Sequence, residues 1–156
     1  MFETNKIIRI KGTATRLFSI LQKVEQWPVW DVDLQPGSVK LNQPVPIGTI
    51  EGTSGSLTMK NGNTFPFLIR NVVVDRQVEY LVKLPGAESD WYWKFEPVKD
   101  SPGEIDLDMG VRITGSAGFV WKLVFAPFLP KAFDICTRNL KTIIEDGKVD
   151  GVAVDL

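Results

Sequence analysis

This sequence of 156 residues contains no histidine, which is the side chain that enzymes most often use as a general base. Histidine is the side chain that titrates near neutral pH, and it is the commonest transition-metal ligand. Mechanisms that pair a serine or a cysteine with a histidine are therefore excluded. A zinc site would need carboxylates and the single thiol, that of Cys136. We expect no metal site and no cofactor.

Acid–base chemistry would have to use a tyrosine, a carboxylate or a lysine whose pKa is shifted by burial. Tyr80, Asp90 and Glu25 are the candidates for such a role. Tyr80 and Asn71 are also predicted to point inwards, where each could bind a ligand carbonyl or hydroxyl, because a buried polar group needs a partner. The alternative for both is a hydrogen bond to neighbouring backbone. We assign no catalytic residue.

Three further side chains invite both a structural and a functional interpretation. Trp27 and Trp30 flank Pro28, and we interpret the two indoles as plugs beneath short helices. The functional alternative places one of them at the end of a cavity. Cys136 falls on the apolar stripe of the last predicted helix, where a lone thiol is expected to behave as a small hydrophobic side chain.

Large apolar side chains recur on one face of several predicted strands. Successive side chains of a strand point to opposite faces, so Trp91, Trp93 and Phe95 share a face. Such rings would either line a cavity for a planar or acyl ligand or fill the core, and the sequence leaves both open. The full set that we predict to bind a ligand is Phe67, Ile69, Asn71, Tyr80, Val82, Trp91, Trp93, Phe95, Leu107, Met109, Val111, Phe125, Leu129, Phe133, Cys136 and Leu140.

The strands that carry these side chains are recognised by their alternating pattern and the turns between them. Short turns make consecutive strands antiparallel neighbours. Asn61-Gly62 predicts a type I′ hairpin turn, and Pro66 within a strand predicts an edge or a bulge. The predicted strands span residues 3–11, 32–42 (irregular), 48–52, 56–60, 65–75, 78–84, 90–97 and 104–114.

Helices are predicted on either side of this block of strands. Thr13 is the expected N-cap of a short amphipathic helix, which Pro28 ends. A single long helix is predicted at residues 117–145, with a kink or interruption at Pro127 and Pro130. The first half of this helix is apolar nearly all round. It is therefore either deeply buried or a movable flap over an opening.

Length and composition predict one domain at residues 1–146, with a tail at residues 147–156. The net charge of −1 and the absence of a Lys/Arg block argue against nucleic acid as a partner. The single cysteine permits no internal disulfide, and residues 119–129 are too short to span a bilayer. We therefore expect a cytoplasmic protein without stable membrane insertion. Its oligomeric state stays open.

Four segments of the sequence resemble one known superfamily. Residues 12–21 (GTATRLFSIL) resemble the opening of the START-like, or SRPBCC, superfamily, where a strand leads through a small-residue turn into an amphipathic helix. Residues 24–31 (VEQWPVWD) resemble the E-x-W-P-x-W segment of its polyketide cyclase/dehydrase-like branch. Residues 47–49 resemble the glycine before the third strand of that branch, and residues 138–145 are similar to its closing L-K-x-x-x-E helix.

The resemblance implies an α+β helix-grip fold. In that fold a strongly curved antiparallel sheet of six to seven strands wraps around a long C-terminal helix, with two short helices between strands 1 and 2. Members of the superfamily bind lipids, sterols, quinones or polyketides in an apolar cavity, and some are aromatase/cyclases. No catalytic motif is common to them, so the resemblance implies no catalytic residue.

Three functions are compatible with this sequence. The first is binding of a small hydrophobic ligand such as a lipid, quinone or polyketide, by a carrier or sensor. The second is a histidine-free cyclase-, dehydratase- or hydrolase-like enzyme. The third is a protein-binding regulatory module, for which exposed aromatic side chains at residues 119–128 would form the surface.

Overall fold

A seven-stranded antiparallel sheet organises the chain in the computed structural model, which describes residues 1–156. Its strands are β1 (Phe2–Lys11), β2 (Lys40–Leu41), β3 (Ser54–Thr58), β4 (Thr64–Val73), β5 (Gln77–Leu84), β6 (Ala87–Pro97) and β7 (Glu104–Thr114). Their order in the sheet is β1-β7-β6-β5-β4-β3-β2. Every neighbour except β1 therefore follows directly in the sequence, as short turns dictate.

Two short helices lie between β1 and β2, as predicted. The first is α1 (Ala14–Leu21), and the second is a 3₁₀ helix (Val24–Val29) that contains Pro28. Thr13 caps α1, because its hydroxyl accepts a hydrogen bond from the Arg16 backbone N–H at 3.1 Å. The 3₁₀ helix carries Trp27 into the core, and Trp30 follows directly after it.

The single long helix predicted at residues 117–145 is instead two helices, α2 (Gly118–Phe125) and α3 (Leu129–Asp146). Pro127 lies in the break, and Pro130 lies in the first turn of α3. A proline there breaks no helical hydrogen bond, because the first N–H groups of a helix have no partner within it. The two prolines therefore separate α2 from α3, so the axis of α2 need not continue that of α3.

Helix α3 contacts edge strand β1 and closes one side of the core. Its buried stripe includes Phe133, Cys136, Leu140 and Ile143. Polar contacts flank this stripe: Lys141 donates to the Arg9 backbone carbonyl at 2.9 Å, and the Glu145 carboxylate accepts from the Lys11 backbone N–H at 2.8 Å. The sheet and α3 together form the helix-grip α+β fold that the sequence predicts.

One predicted strand is wrong, and another is present only in part. Residues 48–52 form turns, because Gly48 and Gly52 have φ of +85° and +80°, outside the strand region. Glu51 between them accepts hydrogen bonds from the backbone N–H groups of Asn71 and Val72 at 3.2 and 2.7 Å. The irregular strand predicted at residues 32–42 is reduced to β2 and a single bridge between Leu34 and Met59.

The turn at Asn61-Gly62 forms a hairpin, but the predicted type I′ turn is wrong. Gly62 has a φ of +90°, whereas Asn61 does not have a positive φ, and type I′ requires positive values at both positions. The Met59 backbone N–H donates to the Asn63 carbonyl at 2.8 Å, and the Gly62 N–H donates to the Met59 carbonyl at 2.9 Å. These bonds close a three-residue loop.

The irregularity of β4 lies at Asn71 rather than at Pro66. Pro66 pairs with Ser56 of β3, so it lies neither at an edge of the sheet nor at a bulge, contrary to prediction. The register between β4 and β5 shifts between Arg70 and Val73, and Asn71 has a φ of +52°. A bulge inserts an extra residue and thereby changes the face that the following side chains occupy.

Residues 147–156 fold back on the domain. Strands β8 (Lys148–Val149) and β9 (Val152–Ala153) form a small hairpin, and Leu156 is buried against the core. The Leu156 carbonyl accepts a hydrogen bond from the Arg16 guanidinium at 2.6 Å. None of the helices is both long and apolar enough to cross a membrane.

Candidate functional site

One end of the space beneath the sheet is filled by aromatic rings, which we call the filled end. The ring of Trp27 lies 5.0 Å from that of Tyr80, 5.2 Å from that of Trp93 and 5.9 Å from that of Phe67. Trp30 meets Trp93 edge to face at 5.5 Å. Such tilted and edge-to-face arrangements are the favoured ones for aromatic pairs. The 3₁₀ helix thus plugs this end of the fold, as the structural interpretation of Trp27 and Trp30 predicts.

The other end contains a small cavity, which we call the inner cavity. The space that the centre of a water molecule can reach in it is about 30 Å³, and the unfilled space between its walls is about 430 Å³, including the part open to solvent. Nine of its twelve lining residues are hydrophobic, so its walls suit an apolar ligand. The lining residues are Asp31, Asp33, Leu34, Leu57, Met59, Phe65, Tyr80, Val82, Leu84, Ser89, Trp91 and Phe125.

An outer groove adjoins the inner cavity and shares Asp33, Met59, Trp91 and Phe125 with it. The space open to the centre of a water molecule in this groove is about 300 Å³. Seven of its ten lining residues are hydrophobic, and the remainder of its wall consists of Lys60, Asn61, Val124, Phe128, Leu129 and Ala132. The four shared side chains therefore separate an enclosed apolar space from a larger and more open one.

Helix α2 forms part of this boundary and exposes much of its apolar surface. Trp121 stacks on Phe125 at 5.5 Å and donates its indole N–H to the Pro85 carbonyl at 3.0 Å. On the outward side, Phe119 and Leu123 are 70% and 60% exposed. Helix α2 is therefore held at one side only. A protein-binding role for this face stays a prediction.

Asp31 is the most unusual side chain of the inner cavity, because it is a carboxylate only 7% exposed. It directly follows Trp30, and its Oδ1 accepts hydrogen bonds from the Asp33 backbone N–H at 3.1 Å and from the Cys136 thiol at 3.5 Å. No side chain forms a salt bridge with it. Burial, reinforced by the negative charge of Asp33, raises the pKa of Asp31 to about 7.

Asp33 and Tyr80 add two further polar groups to the same space. Burial also raises the pKa of Asp33, although the nearby charge of Lys60 opposes the effect. Tyr80 is 4% exposed, and its hydroxyl has no hydrogen-bond partner within the protein. Burial and the charge of Asp31 raise its pKa well above the usual tyrosine value. Because its pKa is about 7, Asp31 can exchange a proton near neutral pH.

Cys136 contacts this group from α3. Its thiol is buried, and burial followed by the charge of Asp31 raises its pKa strongly. A reactive cysteine requires the thiolate form. The environment of Cys136 therefore supports the expected role of a small hydrophobic side chain.

The residues that we predicted to bind a ligand fall into three groups. Tyr80, Val82, Trp91 and Phe125 line the inner cavity, and Leu129 joins Trp91 and Phe125 in the outer groove. The second group lines neither space and is packed in the core, in part against the filled end. It comprises Phe67, Ile69, Trp93, Phe95, Leu107, Met109, Val111, Phe133, Cys136 and Leu140.

Asn71 forms the third group alone, because it does not point inwards as predicted. The bulge of β4 places it on the exposed surface, where its amide donates to the Glu79 carboxylate at 2.6 Å. Two proposed acid–base residues also lie away from the cavity: Glu25 is exposed, and Asp90 forms an ion pair with Arg70. No cluster of three or more Cys, Asp or Glu side chains could hold a metal ion.

The sequence reasoning missed eight lining residues of the inner cavity. Leu84 and Ser89 could have been found, because they share strand parity with Tyr80 and Trp91 respectively. Phe65 likewise shares the parity of Phe67. Asp31 and Asp33 lie in an irregular segment without periodicity, and no pattern marked them as buried. The missed residues are Asp31, Asp33, Leu34, Leu57, Met59, Phe65, Leu84 and Ser89.

Solved structures of other proteins share this fold. A START superfamily protein from Mycobacterium smegmatis matches with a TM-score of 0.66 at 14% identity, over 94% of this chain and 99% of that one. Norcoclaurine synthase from Thalictrum flavum, solved with dopamine and hydroxybenzaldehyde, matches with a TM-score of 0.69 at 10% identity, over 96% and 89%.

The di-domain ARO/CYC StfQ of the steffimycin biosynthetic pathway is a further match, with a TM-score of 0.68 at 14% identity. The match covers 92% of this chain and 50% of StfQ, so this chain spans half the length of that protein. No protein-family profile and no curated protein sequence matches the chain. The structural matches confirm the predicted helix-grip fold, which this chain shares with a START superfamily protein.

Proposed function

We propose that the protein binds a small hydrophobic molecule, as a carrier or sensor, at the end of the helix-grip fold that contains the inner cavity and the outer groove, which we call the open end. The observation that carries this proposal is the adjoining pair of apolar spaces, the inner cavity and the outer groove. Typical ligand sites of roughly 300–1,000 Å³ combine apolar walls with a few polar groups. The inner cavity alone is too small for such a ligand. We therefore place a small polar end of the ligand in the inner cavity and its apolar body in the outer groove.

Two further observations support this arrangement. The polar groups Asp31, Tyr80 and Ser89 are confined to the inner cavity, whereas the outer groove is lined largely by apolar side chains of α2 and α3. Helix α2 contacts the sheet from one side only, and its other side is exposed next to the groove. The structural match with norcoclaurine synthase, solved with two small aromatic molecules, is consistent with a ligand of this size.

The binding of phenylnaphthylamine, a neutral apolar dye that fluoresces in apolar surroundings, tests this proposal. Val82→Phe should fill the inner cavity with its ring. The dye would then have to enter a space that is already packed, which costs about 1–3 kcal/mol, so its binding should weaken by about tenfold or more. Val73→Phe is the matched control, because Val73 is half exposed and lies outside both spaces. Thermal unfolding of each variant verifies that the fold is retained.

Failure of the wild-type protein to take up the dye would contradict the proposal. Equal dye binding by the wild type and by a folded Val82→Phe variant would contradict it as well. Native mass spectrometry gives an independent measurement, since a bound apolar molecule adds its own mass to the intact protein.

A second candidate function is acid–base catalysis of a cyclase- or dehydratase-like reaction in the same cavity. It is favoured by Asp31, which can act as a general acid or base because its pKa is about 7. Asp31→Asn should then abolish turnover of polyketide mimics and keep dye binding intact. The absence of turnover by the wild type across such a panel, or equal turnover by Asp31→Asn, would contradict catalysis and leave the binding proposal untouched.

A further inference from the structure

The residues of the inner cavity indicate the charge of the polar end of the ligand. This inference rests on the proposed function. We propose that the ligand is an organic cation, a protonated amine on an apolar body, whose ammonium group lies against Asp31 in the inner cavity. The claim concerns the charge of the ligand, which the proposed function leaves open.

The charges of the lining carry the first part of the argument. Asp31 and Asp33 both line the inner cavity, and none of its twelve lining residues is a lysine or an arginine. Asp31 is buried without a salt-bridge partner, although buried charges in proteins are normally paired. A cationic ligand would supply the missing partner, whereas an anionic ligand would meet two carboxylates.

The hydrogen bonds of Asp31 leave room for such a partner. Both of its hydrogen bonds within the protein, from the Asp33 backbone and the Cys136 thiol, are accepted by Oδ1. Oδ2 accepts none and remains available to an N–H of the ligand. Tyr80 lines the same cavity, and its hydroxyl forms no hydrogen bond within the protein, so it is a second available acceptor.

Aromatic rings complete the recognition of a cation. Phe65, Tyr80, Trp91 and Phe125 supply four of the twelve lining side chains. Aromatic faces attract an ammonium group that lies within about 6 Å of the ring centroid, and the attraction is largest where water is excluded. A carboxylate surrounded by aromatic rings is thus suited to an amine more than to an alcohol of the same shape.

The titratable groups around Asp31 are neutral or negative, apart from Lys60 of the outer groove. Helix α3 contributes the Cys136 thiol and β5 contributes the Tyr80 phenol, which are both neutral at physiological pH because burial raises their pKa values. Asp33 adds a second negative charge, and the positive charge of Lys60 stabilises the ionised form of Asp33. A bound cation would lower the pKa of Asp31 from about 7 and release its proton to solvent.

Three probes with the same alkyl chain test the proposal: decylamine, decanol and decanoate, each below its micelle concentration. Their affinities are measured by displacement of phenylnaphthylamine. Decylamine should bind about tenfold or more tightly than decanol, and decanoate should bind most weakly. Asp31→Asn should reduce the affinity for decylamine to about that for decanol, and it should change the decanol affinity by a much smaller factor.

Two further variants separate the cavity from the surface. Asp33→Asn should weaken decylamine binding by a smaller factor, because Asp33 is only half buried. Asp100→Asn makes the same change on the exposed β6–β7 turn and should have no effect. A loss of preference with Asp100→Asn would mean that decylamine binds to surface charge, which would overturn the proposal.

The outcomes distinguish this inference from the function on which it rests. If decanol or decanoate binds to the wild type as tightly as decylamine, the cation proposal fails and the binding function stands. If none of the three probes nor the dye binds, both fail. The ranking of the three probes on the wild type is decisive even if Asp31→Asn does not fold.

Discussion

The two ends of the space beneath the sheet are built by the same strands but differ in what fills them. Strand β6 supplies Trp93 to the filled end and Trp91 to the inner cavity, and Tyr80 of β5 lies where the two meet, stacked on Trp93 and lining the cavity. The difference comes from the 3₁₀ helix, which inserts Trp27 at one end only. The insertion between β1 and β2, and not the sheet, therefore decides where space remains.

The ends also differ in how they treat polar groups. At the filled end the Trp27 indole N–H donates to the Leu21 carbonyl at 2.9 Å, whereas those of Trp30 and Trp93 have no partner. These two losses are offset by the packing of large rings. At the open end Asp31 accepts two hydrogen bonds but has no salt-bridge partner, although buried charges are normally paired. Under the proposed function, the ligand would supply that partner.

The largest expected effect tests whether the filled end is structural. Trp27→Ala should destabilise the protein by about 3–5 kcal/mol, because a fully buried ring is replaced by a cavity. Urea denaturation measures the change. Trp121→Ala on α2 is the matched control and should cost less, since Trp121 is only half buried. Equal losses in the two variants would mean that the two ends do not differ in packing.

The second effect concerns the buried charge of the open end. An acid whose folded pKa is raised binds more protons in the folded state than in the unfolded state, between its ordinary value and its raised value. For Asp31 this window extends from 3.8 to about 7, so its contribution to stability falls as the pH rises through that window. Above it, the full cost of the buried charge remains.

Asp31→Asn should therefore stabilise the protein at about pH 8, by up to about 4 kcal/mol, and by little at about pH 4. Thermal and urea unfolding across this range measure the difference. Asp100→Asn should change stability by less than about 0.5 kcal/mol at either pH. A variant that is no more stable than the wild type at the higher pH would show that Asp31 is already paired or solvated, and the contrast between the two ends would then disappear.

Much of the fold could be predicted from the sequence because its signals are local. Strand β7 has the predicted bounds, since its alternation of apolar and polar side chains extends without interruption from Glu104 to Thr114. Thr13 caps α1 as predicted, because a cap depends on a few neighbouring residues. The aromatic rows were assigned to the correct face by parity alone, although parity could not determine whether they fill the space or line it.

The parts that could not be predicted depend on distant contacts. Asp31 becomes buried because α3 lies over the segment that contains it: Cys136 donates to its carboxylate, and the Asn139 amide donates to the Trp30 carbonyl at 3.1 Å. Nothing in the residues around Asp31 encodes those partners. The predicted inward orientation of Asn71 failed for a related reason, because the bulge that turns it outwards has no local signal in β4.

The smallest expected effect sharpens the boundary of the open end. Phe125 lines both the inner cavity and the outer groove, and its ring lies 6.4 Å from that of Trp91. Phe125→Ala should widen the passage between the two spaces and cost about 1 kcal/mol of stability, less than a core phenylalanine, because the side chain is only half buried.

The functional consequence of this substitution is kinetic. Stopped-flow measurement should find that phenylnaphthylamine associates and dissociates several-fold faster in Phe125→Ala, with an affinity close to that of the wild type, because a side chain that obstructs a passage slows both directions equally. Phe119→Ala removes the same ring from an exposed position of α2 and should leave both rates unchanged. Faster dissociation with unchanged association, and therefore a loss of affinity, would instead show that Phe125 acts as a binding contact and not as an obstruction. The contrast between the two ends would survive that result, because it depends on the inserted tryptophan and the buried carboxylate rather than on the route by which a ligand enters.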